Sequence, residues 1–199
     1  MPAVPADELY EKYLQKAISE INELGEAIGQ GAARAAGKGG VPVLGSGHPL
    51  ADVLLLKAVP QPAEIQEGVA FYGRSGQAIL KSLQRLRVDP MAVYGTNCLK
   101  FVDGDPDEAR PWLVRELHIV QPKIVVVMGE RAVAFLSSVE FPLADAVDPK
   151  AEGLQRFTPT IEALVVPDID ESLDEQAAKT QFWNAFKHLG PWWAELPPY

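Results

Sequence analysis

The sequence predicts a three-layer α/β/α sandwich, in which helices cover both faces of a central sheet of four parallel strands. Short apolar runs recur along the chain, and each is followed by a segment whose apolar residues have helical spacing. Runs that are apolar throughout are typical of parallel strands buried on both faces. With 199 residues, 47% of them hydrophobic and 23% charged, the chain has the size and composition of one globular domain, residues 1–199.

The predicted elements begin with an amphipathic helix over residues 7–28, where apolar residues recur at helical spacing. The segment GQGAARAAGKGG, residues 29–40, is glycine-rich and unperiodic and predicts a flexible connector. Strands are predicted at 53–56, 93–96, 124–128 and 164–166, with helices that contain 79–86, 112–120, 131–136 and 173–189.

The carboxyl ends of the predicted strands are the expected place for a ligand. Sheets of this kind bind ligands in the crevice beyond those ends. Functional residues are therefore expected in the segments that follow Leu56, Thr96, Met128 and Val166.

The net charge of −9 disfavours binding to a polyanion. Proteins that bind nucleic acids use Lys and Arg to neutralise phosphates. Basic side chains slightly outnumber acidic ones over residues 70–131, whereas residues 140–199 are strongly acidic. A nucleic acid is therefore expected to approach the middle of the chain.

Cys98 is the only cysteine, which excludes an intramolecular disulfide and any metal site built from several thiolates. The three histidines are far apart in the sequence, so neither a metal site nor a cofactor is expected. No apolar run reaches the roughly 20 residues that a membrane-spanning helix needs, and the N-terminus lacks a signal-peptide pattern. We therefore expect a cytoplasmic, monomeric protein with no membrane partner.

Four segments, in matching order and spacing, resemble motifs of the uracil-DNA glycosylase superfamily. Residues 43–80, which contain KAVPQ and FYGRSG, are similar to the region of GEAPG and PFVGRSG in the iron-sulfur branch of that family. VYGTNCLKF, residues 93–101, is similar to VYITNVVKC. QPKIVVVMGERA resembles the family's third strand, and LVVPDIDES, residues 164–172, stands in the place of VVPTYHPS. The resemblance implies the family's α/β/α fold.

The resemblance also implies a pocket for a base that is flipped out of DNA, with DNA containing uracil or a damaged base as the partner. Phe71 matches the ring on which the base stacks, and Asn97 matches the amide that reads its Watson–Crick edge. From the residues alone, a core phenylalanine, a turn-capping asparagine and an ordinary helix cap at GRSG are the alternatives. By resemblance the pocket is further lined by Ala58, Val59, Pro60 and Gln61, and phosphate contacts fall on Gly73, Arg74, Ser75 and Ser172.

Groups on which the family's chemistry depends are replaced in this chain. The glutamate of GEAPG falls on Ala58 and the aspartate of other branches on Val59, so neither position can activate water. Glu64 is the one nearby carboxylate that could substitute, and a solvated loop charge is the alternative. The histidine that contacts the leaving base is replaced by Asp170, whose charge would oppose that of the base unless burial keeps it protonated. The cluster cysteines are absent, since Phe101 stands at one of their positions.

Three hypotheses for function remain open at this stage. The first is a DNA glycosylase that hydrolyses the N-glycosidic bond of a flipped-out uracil or related base, assisted by Glu64 or Asp170. The second is an inactive or repurposed relative that binds a nucleobase, nucleotide or protein partner. The third is a metal-dependent enzyme with Asp168, Asp170 and Glu171 as ligands. Separately, Trp192 and Trp193 are expected either to pack on the core or to dock a partner.

Overall fold

The structure is a computed structural model that describes residues 6–35 and 40–197. Its sheet has six strands in the order β1-β3-β2-β4-β6-β5. The inner four strands are parallel, which confirms the predicted α/β/α class, and the two edge strands pair antiparallel. The edge strands were not predicted because they are only two and three residues long and carry no apolar run. The strands are β1 (Ser46–Gly47), β2 (Val53–Lys57), β3 (Val93–Asn97), β4 (Ile124–Met128), β5 (Leu154–Arg156) and β6 (Glu162–Val166).

Seven α-helices lie in the described residues, together with a short 3-10 helix at Pro90–Ala92. None of these helices is long and apolar enough to cross a bilayer. The predicted closing helix over 173–189 corresponds to α6, whereas the short helix α2 and the helix α7, which begins at Leu189, were not predicted. The helices are α1 (Ala6–Ala35), α2 (Pro62–Glu67), α3 (Arg74–Leu86), α4 (Pro106–Val120), α5 (Glu130–Ser138), α6 (Gln176–Phe186) and α7 (Leu189–Glu195).

The first helix is longer than predicted, and the predicted connector is wrong for residues 29–35. Alanine favours the helix strongly, which offsets the glycines of this segment. Packing also extends the helix, because Ile28 is buried and Gly31 lies against the ring of Trp112 in α4. Residues 36–39 lie outside the described part of the chain.

The sheet separates two apolar cores. Alternate side chains of β2, β3, β4 and β6 point to opposite faces. One face packs against α4 and α5, with α1 packed on α4, and the other face packs against α3, α6 and α7. The result is three layers, as predicted.

The C-terminal tryptophans are held by the protein itself. Trp192 is buried and its indole N–H donates to the Glu162 carboxylate, while the Arg85 guanidinium lies 3.8 Å from the ring centroid of Trp193. Packing on the core is therefore the correct alternative for Trp192, and a docking patch built on it is wrong.

The order of the strands creates a switch point between β2 and β4. The chain leaves β2 through α3 on one face toward β3, and it leaves β4 through α5 on the other face toward β6. Helices that diverge in this way leave a crevice at the carboxyl ends of the two strands. Lys57 and Met128, which are register partners, mark that edge.

A buried ion pair fixes the end of β3 on the α4 face. The Lys100 Nζ lies 2.6 Å from Glu116 Oε2 and also donates to Thr96 Oγ1 and to the carbonyl oxygen of Asn97. The hydroxyl groups of Tyr94 and Thr96 donate to the other oxygen of Glu116. Burial and the Glu116 charge raise the pKa of the Tyr94 hydroxyl well above its usual value. Every polar group of this network therefore has a partner.

We predict that Lys100→Met lowers the free energy of unfolding by about 3–5 kcal/mol, because it leaves the Glu116 carboxylate buried and unpaired. The double variant Lys100→Met/Glu116→Gln should recover much of this loss. Urea denaturation measures both, with Lys81→Met on the exposed face of α3 as a control that stays within about 0.5 kcal/mol. A loss of less than about 1 kcal/mol in Lys100→Met would contradict the assignment of Lys100 and Glu116 as a buried ion pair.

Candidate functional site

A group of polar side chains lies on the α3 face of the sheet, at the carboxyl ends of β2 and β3. Lys57 and Asn97 end these strands and are paired in register. Both side chains are buried, in strands that are otherwise apolar or small on this face. Polar groups at such a position need partners, because an uncompensated buried polar group is costly.

Lys57 has two charged partners. Its Nζ lies 2.6 Å from Glu64 Oε2 and 2.7 Å from Asp170 Oδ2, and 5.4 Å from the ring centroid of Phe71. The exposed fractions of the three charged side chains are 1% for Lys57, 0% for Glu64 and 15% for Asp170. We call these three residues the ion cluster. Buried charges of this kind persist only when they are paired and hydrogen-bonded.

Glu64 connects the ion cluster to the backbone, because it lies in the first turn of α2. Pro62 starts the helix, and the carboxylate of Glu64, its third residue, accepts from the backbone N–H of Gln61 at 2.6 Å. The other carboxylate oxygen accepts from the backbone N–H of Phe71. The alternative of a solvated loop charge is therefore wrong. With the Lys57 contact, Glu64 uses three of the about four positions at which a carboxylate accepts.

Phe71 is held in an unusual backbone conformation. Its φ of 61° lies in the left-handed region, which a bulky residue rarely adopts. Gly76 permits this turn, because a side chain there would collide with the carbonyl oxygen of Phe71. The ring rests on the backbone of Gly95, where an added Cβ would lie only 2.6 Å from Cδ2. Strain that a structure maintains in this way is concentrated at binding sites.

The carboxamide of Asn97 has no hydrogen-bond partner. Both its nitrogen and its oxygen are buried, and among the described residues no other buried side-chain group is unsatisfied. Gly95 and Asn97 are two residues apart in β3, so they face the same side of the sheet as the Phe71 ring. The amide thus combines two free donors and an acceptor beside an aromatic ring.

The segment after β6 brings acidic residues to the same edge. Asp168 Oδ1 accepts from the backbone N–H of Asp170 at 2.8 Å, and the Ser172 hydroxyl donates to the Asp168 carbonyl at 2.6 Å. Burial, followed by the charges of Asp170 and Glu171, raises the pKa of the Asp168 carboxyl. No group of three or more His, Cys, Asp or Glu side chains in the described residues has the arrangement of a metal site, so the metal-enzyme hypothesis lacks a ligand set.

The structure brings together some of the predicted site residues and separates others. Phe71 and Asn97 share one face, and Asp170 reaches it. Ala58 and Val59 instead pack with the core on the opposite face, so their side chains do not line the space beside Phe71. Pro60 precedes α2, and Gln61 contributes its backbone N–H rather than a side chain.

The predicted phosphate contacts surround the start of α3. Gly73 is the N-cap residue, Ser75 is buried and Ser172 is engaged with Asp168. Arg74 is exposed and pairs with Asp174 at 2.5 Å, so it joins the start of α3 to the segment after β6.

Sequence reasoning missed Lys57. It aligns with the first glycine of the resembled GEAPG motif and was assigned no role. A lysine that ends an apolar strand, VLLLK, was the available signal. Its partners could not be read from the sequence, because Asp170 is distant in the chain.

An iron-sulfur cluster does not fit this chain. Such clusters use several cysteine thiolates, and the chain has Cys98 alone. That thiol is buried, and burial raises its pKa strongly, which opposes formation of a thiolate.

Comparison with known proteins gives consistent matches. The family model described as "Uracil DNA glycosylase superfamily" matches residues 44–187. A Type-4 uracil-DNA glycosylase of Archaeoglobus fulgidus is 24% identical over 159 residues, which are 74% of this chain and 80% of that protein. A Type-4 uracil-DNA glycosylase of Sulfurisphaera tokodaii is 29% identical over 105 residues, 48% of each chain.

We predict that Asp168→Asn stabilises the protein at pH 7 by under about 1 kcal/mol, because it removes a half-buried charge beside Asp170 and Glu171 while the amide oxygen can still accept from the Asp170 N–H. A carboxyl with a raised pKa destabilises the fold above that pKa and not below its unfolded value. The gain measured by urea denaturation should therefore shrink toward pH 4. An equal gain in the free energy of unfolding at both pH values would show that the charge of Asp168 is not its cause.

Proposed function

The chain belongs to the uracil-DNA glycosylase superfamily, and we propose that it removes a uracil-like base from DNA by hydrolysis of the N-glycosidic bond. The observation that carries the proposal is the unpartnered carboxamide of Asn97. A buried amide without partners costs about 1–3 kcal/mol, so its retention beside an aromatic ring calls for a ligand.

The hydrogen-bonding edge of uracil is complementary to this carboxamide. It presents an N–H donor next to a carbonyl acceptor, and a carboxamide offers the matching acceptor and donor. A base that is extruded from the DNA stack can be read in this way, with its face against an aromatic ring. In this proposal Asn97 reads the base and the ring of Phe71 supports its face.

Glu64 is a positioning residue in this proposal. Its carboxylate is fully buried and bonded to Lys57, Gln61 and Phe71, so it holds the turn that carries the stacking ring. It has little capacity left to accept a proton from water, which favours this role over that of a general base.

Asp170 is the carboxylate that we assign to the sugar and the water. It is the most exposed member of the ion cluster, and a carboxylate stabilises the positive charge that develops on the sugar. Lys57 lies 2.7 Å from Asp170 and compensates its charge, so Asp170 repels the leaving base less than an isolated aspartate would.

DNA would be held at the start of α3 in this proposal. Gly73, Arg74 and Ser75 open a helix of 13 residues, whose N-terminal N–H groups suit a phosphate. Ser172 is buried after β6, so it would not contact a phosphate itself but would help to hold the segment that contains Asp168. The net charge of −9 should keep the affinity for DNA low. The dependence on salt should be shallow, because it follows the number of phosphates neutralised and Arg74 is the one cation in the first turn of α3.

A repurposed relative that binds a base without cleaving it is the second candidate. The observation that favours it is that Ala58 and Val59, at the positions of the resembled catalytic acids, carry no ionisable group and pack in the opposite core. The two candidates share the base site and differ in turnover.

We predict that Asn97→Leu separates stability from function. The free energy of unfolding should stay equal or rise, because an apolar side chain of similar size removes an unsatisfied amide. Single-turnover excision of uracil from single-stranded DNA, with protein in excess, should fall at least about 100-fold, as expected when a recognised polar edge loses its partner.

Asn184→Leu, at an exposed position of α6, is the matched control and should excise uracil like the unmodified protein. Excision that does not depend on Asn97 would contradict the assignment of the site. Binding of uracil that depends on Asn97, without any product, would favour the second candidate.

A further inference from the structure

In the proposed function, Lys57 serves only to compensate the charge of Asp170. Its ammonium has three N–H donors and no acceptor. Two of these donors serve Glu64 and Asp170. The third is available to a ligand, and the Phe71 ring centroid lies 5.4 Å from the nitrogen.

The Lys57 nitrogen lies close to the place where a base would stack on Phe71. A stacked base lies about 3.5–4 Å from the ring, at the separation of aromatic groups in van der Waals contact. The ammonium is 5.4 Å from the ring centroid, a distance comparable to that separation. Lys57 is also the register partner of Asn97, so the two side chains lie beside each other on the α3 face of the sheet.

We propose that Lys57 is a catalytic residue whose ammonium donates a hydrogen bond to a carbonyl of the departing base and stabilises its negative charge. This inference rests on the proposed function. Because lysine is a donor only, it also restricts the substrate to bases that present a carbonyl at this point, as uracil does.

The charge that Lys57 stabilises arises when the glycosidic bond breaks. The bonding electron pair leaves with the base, which becomes an anion with charge on its carbonyl oxygens, and the sugar becomes an oxocarbenium-like cation. Water adds to the sugar carbon and loses a proton, and the base gains a proton after departure. An ammonium placed at a developing oxyanion lowers the barrier for the first of these steps.

The arrangement also accounts for the aspartate at the position of the resembled histidine. Asp170 does not face the base as an isolated negative charge but holds the Lys57 ammonium at 2.7 Å. The cation thus comes from the end of β2 and is oriented by a carboxylate from the segment after β6. The resembled GEAPG motif has glycine where this lysine stands, so the chain has gained a cation on β2 and lost a histidine after β6.

The test compares Lys57→Met and the unmodified protein on two leaving groups, uracil and 5-fluorouracil, in single-turnover excision. Removal of one oxyanion donor costs about 10²–10³-fold in rate. We expect a loss of that size for uracil and a clearly smaller loss for 5-fluorouracil, whose anion needs less stabilisation because fluorine withdraws electrons. Lys81→Met, on the exposed face of α3, should leave both rates unchanged.

Equal losses for the two bases would overturn the proposal and assign Lys57 a structural role. Faster excision by Lys57→Ala would also overturn it, because the lysine would then merely obstruct the base. If Lys57→Met does not fold, the same comparison uses Lys57→Met/Glu64→Gln against Glu64→Gln, which keeps Asp170 and leaves no fully buried carboxylate without a cation. If the unmodified protein excises neither base, the proposed function itself is wrong. If it excises both, the proposed function stands, and the two rate losses in Lys57→Met test the role of Lys57 alone.

Discussion

The ammonium of Lys57 joins three segments that are far apart in the chain, and the site depends on this junction. Glu64 brings α2 to the end of β2, and Asp170 brings the segment after β6 to the same nitrogen. Glu64 also holds the backbone N–H of Phe71, so the turn that carries the ring is fixed by the same carboxylate. Loss of Lys57 would leave Glu64 fully buried without a cation, whereas loss of either carboxylate leaves Lys57 paired with the other.

The buried polar groups on the two faces of the sheet differ in whether they have hydrogen-bond partners. On the α4 face, Lys100, Glu116, Thr96 and Tyr94 satisfy one another and fix the end of β3. On the α3 face, the same strand end presents the carboxamide of Asn97 without partners. The satisfied network stabilises the fold, and the unsatisfied amide lowers stability at the place where the proposed base would become its partner.

The sequence predicted the central sheet because apolar runs identify buried parallel strands, and it placed Phe71 and Asn97 through their motifs. It could not predict that Glu64 is buried, because that burial depends on α2, a helix of six residues with no periodic signal. Ala58 and Val59 were expected near the base, but both pack in the opposite core, because the chain leaves the strand geometry of β2 after Lys57. The role of Lys57 could not be predicted, because it depends on the burial of Glu64 and on Asp170, which is 113 residues away in the chain.

The most direct test of the account is a titration of nitrogen-15-labelled protein with free uracil, observed through the side-chain NH₂ resonances of Asn97. The account predicts that these resonances move and saturate as the carboxamide acquires a partner, while those of Asn184 on the surface of α6 stay in place. Resonances of Asn97 that do not respond to uracil would contradict the claim that this amide recognises a base.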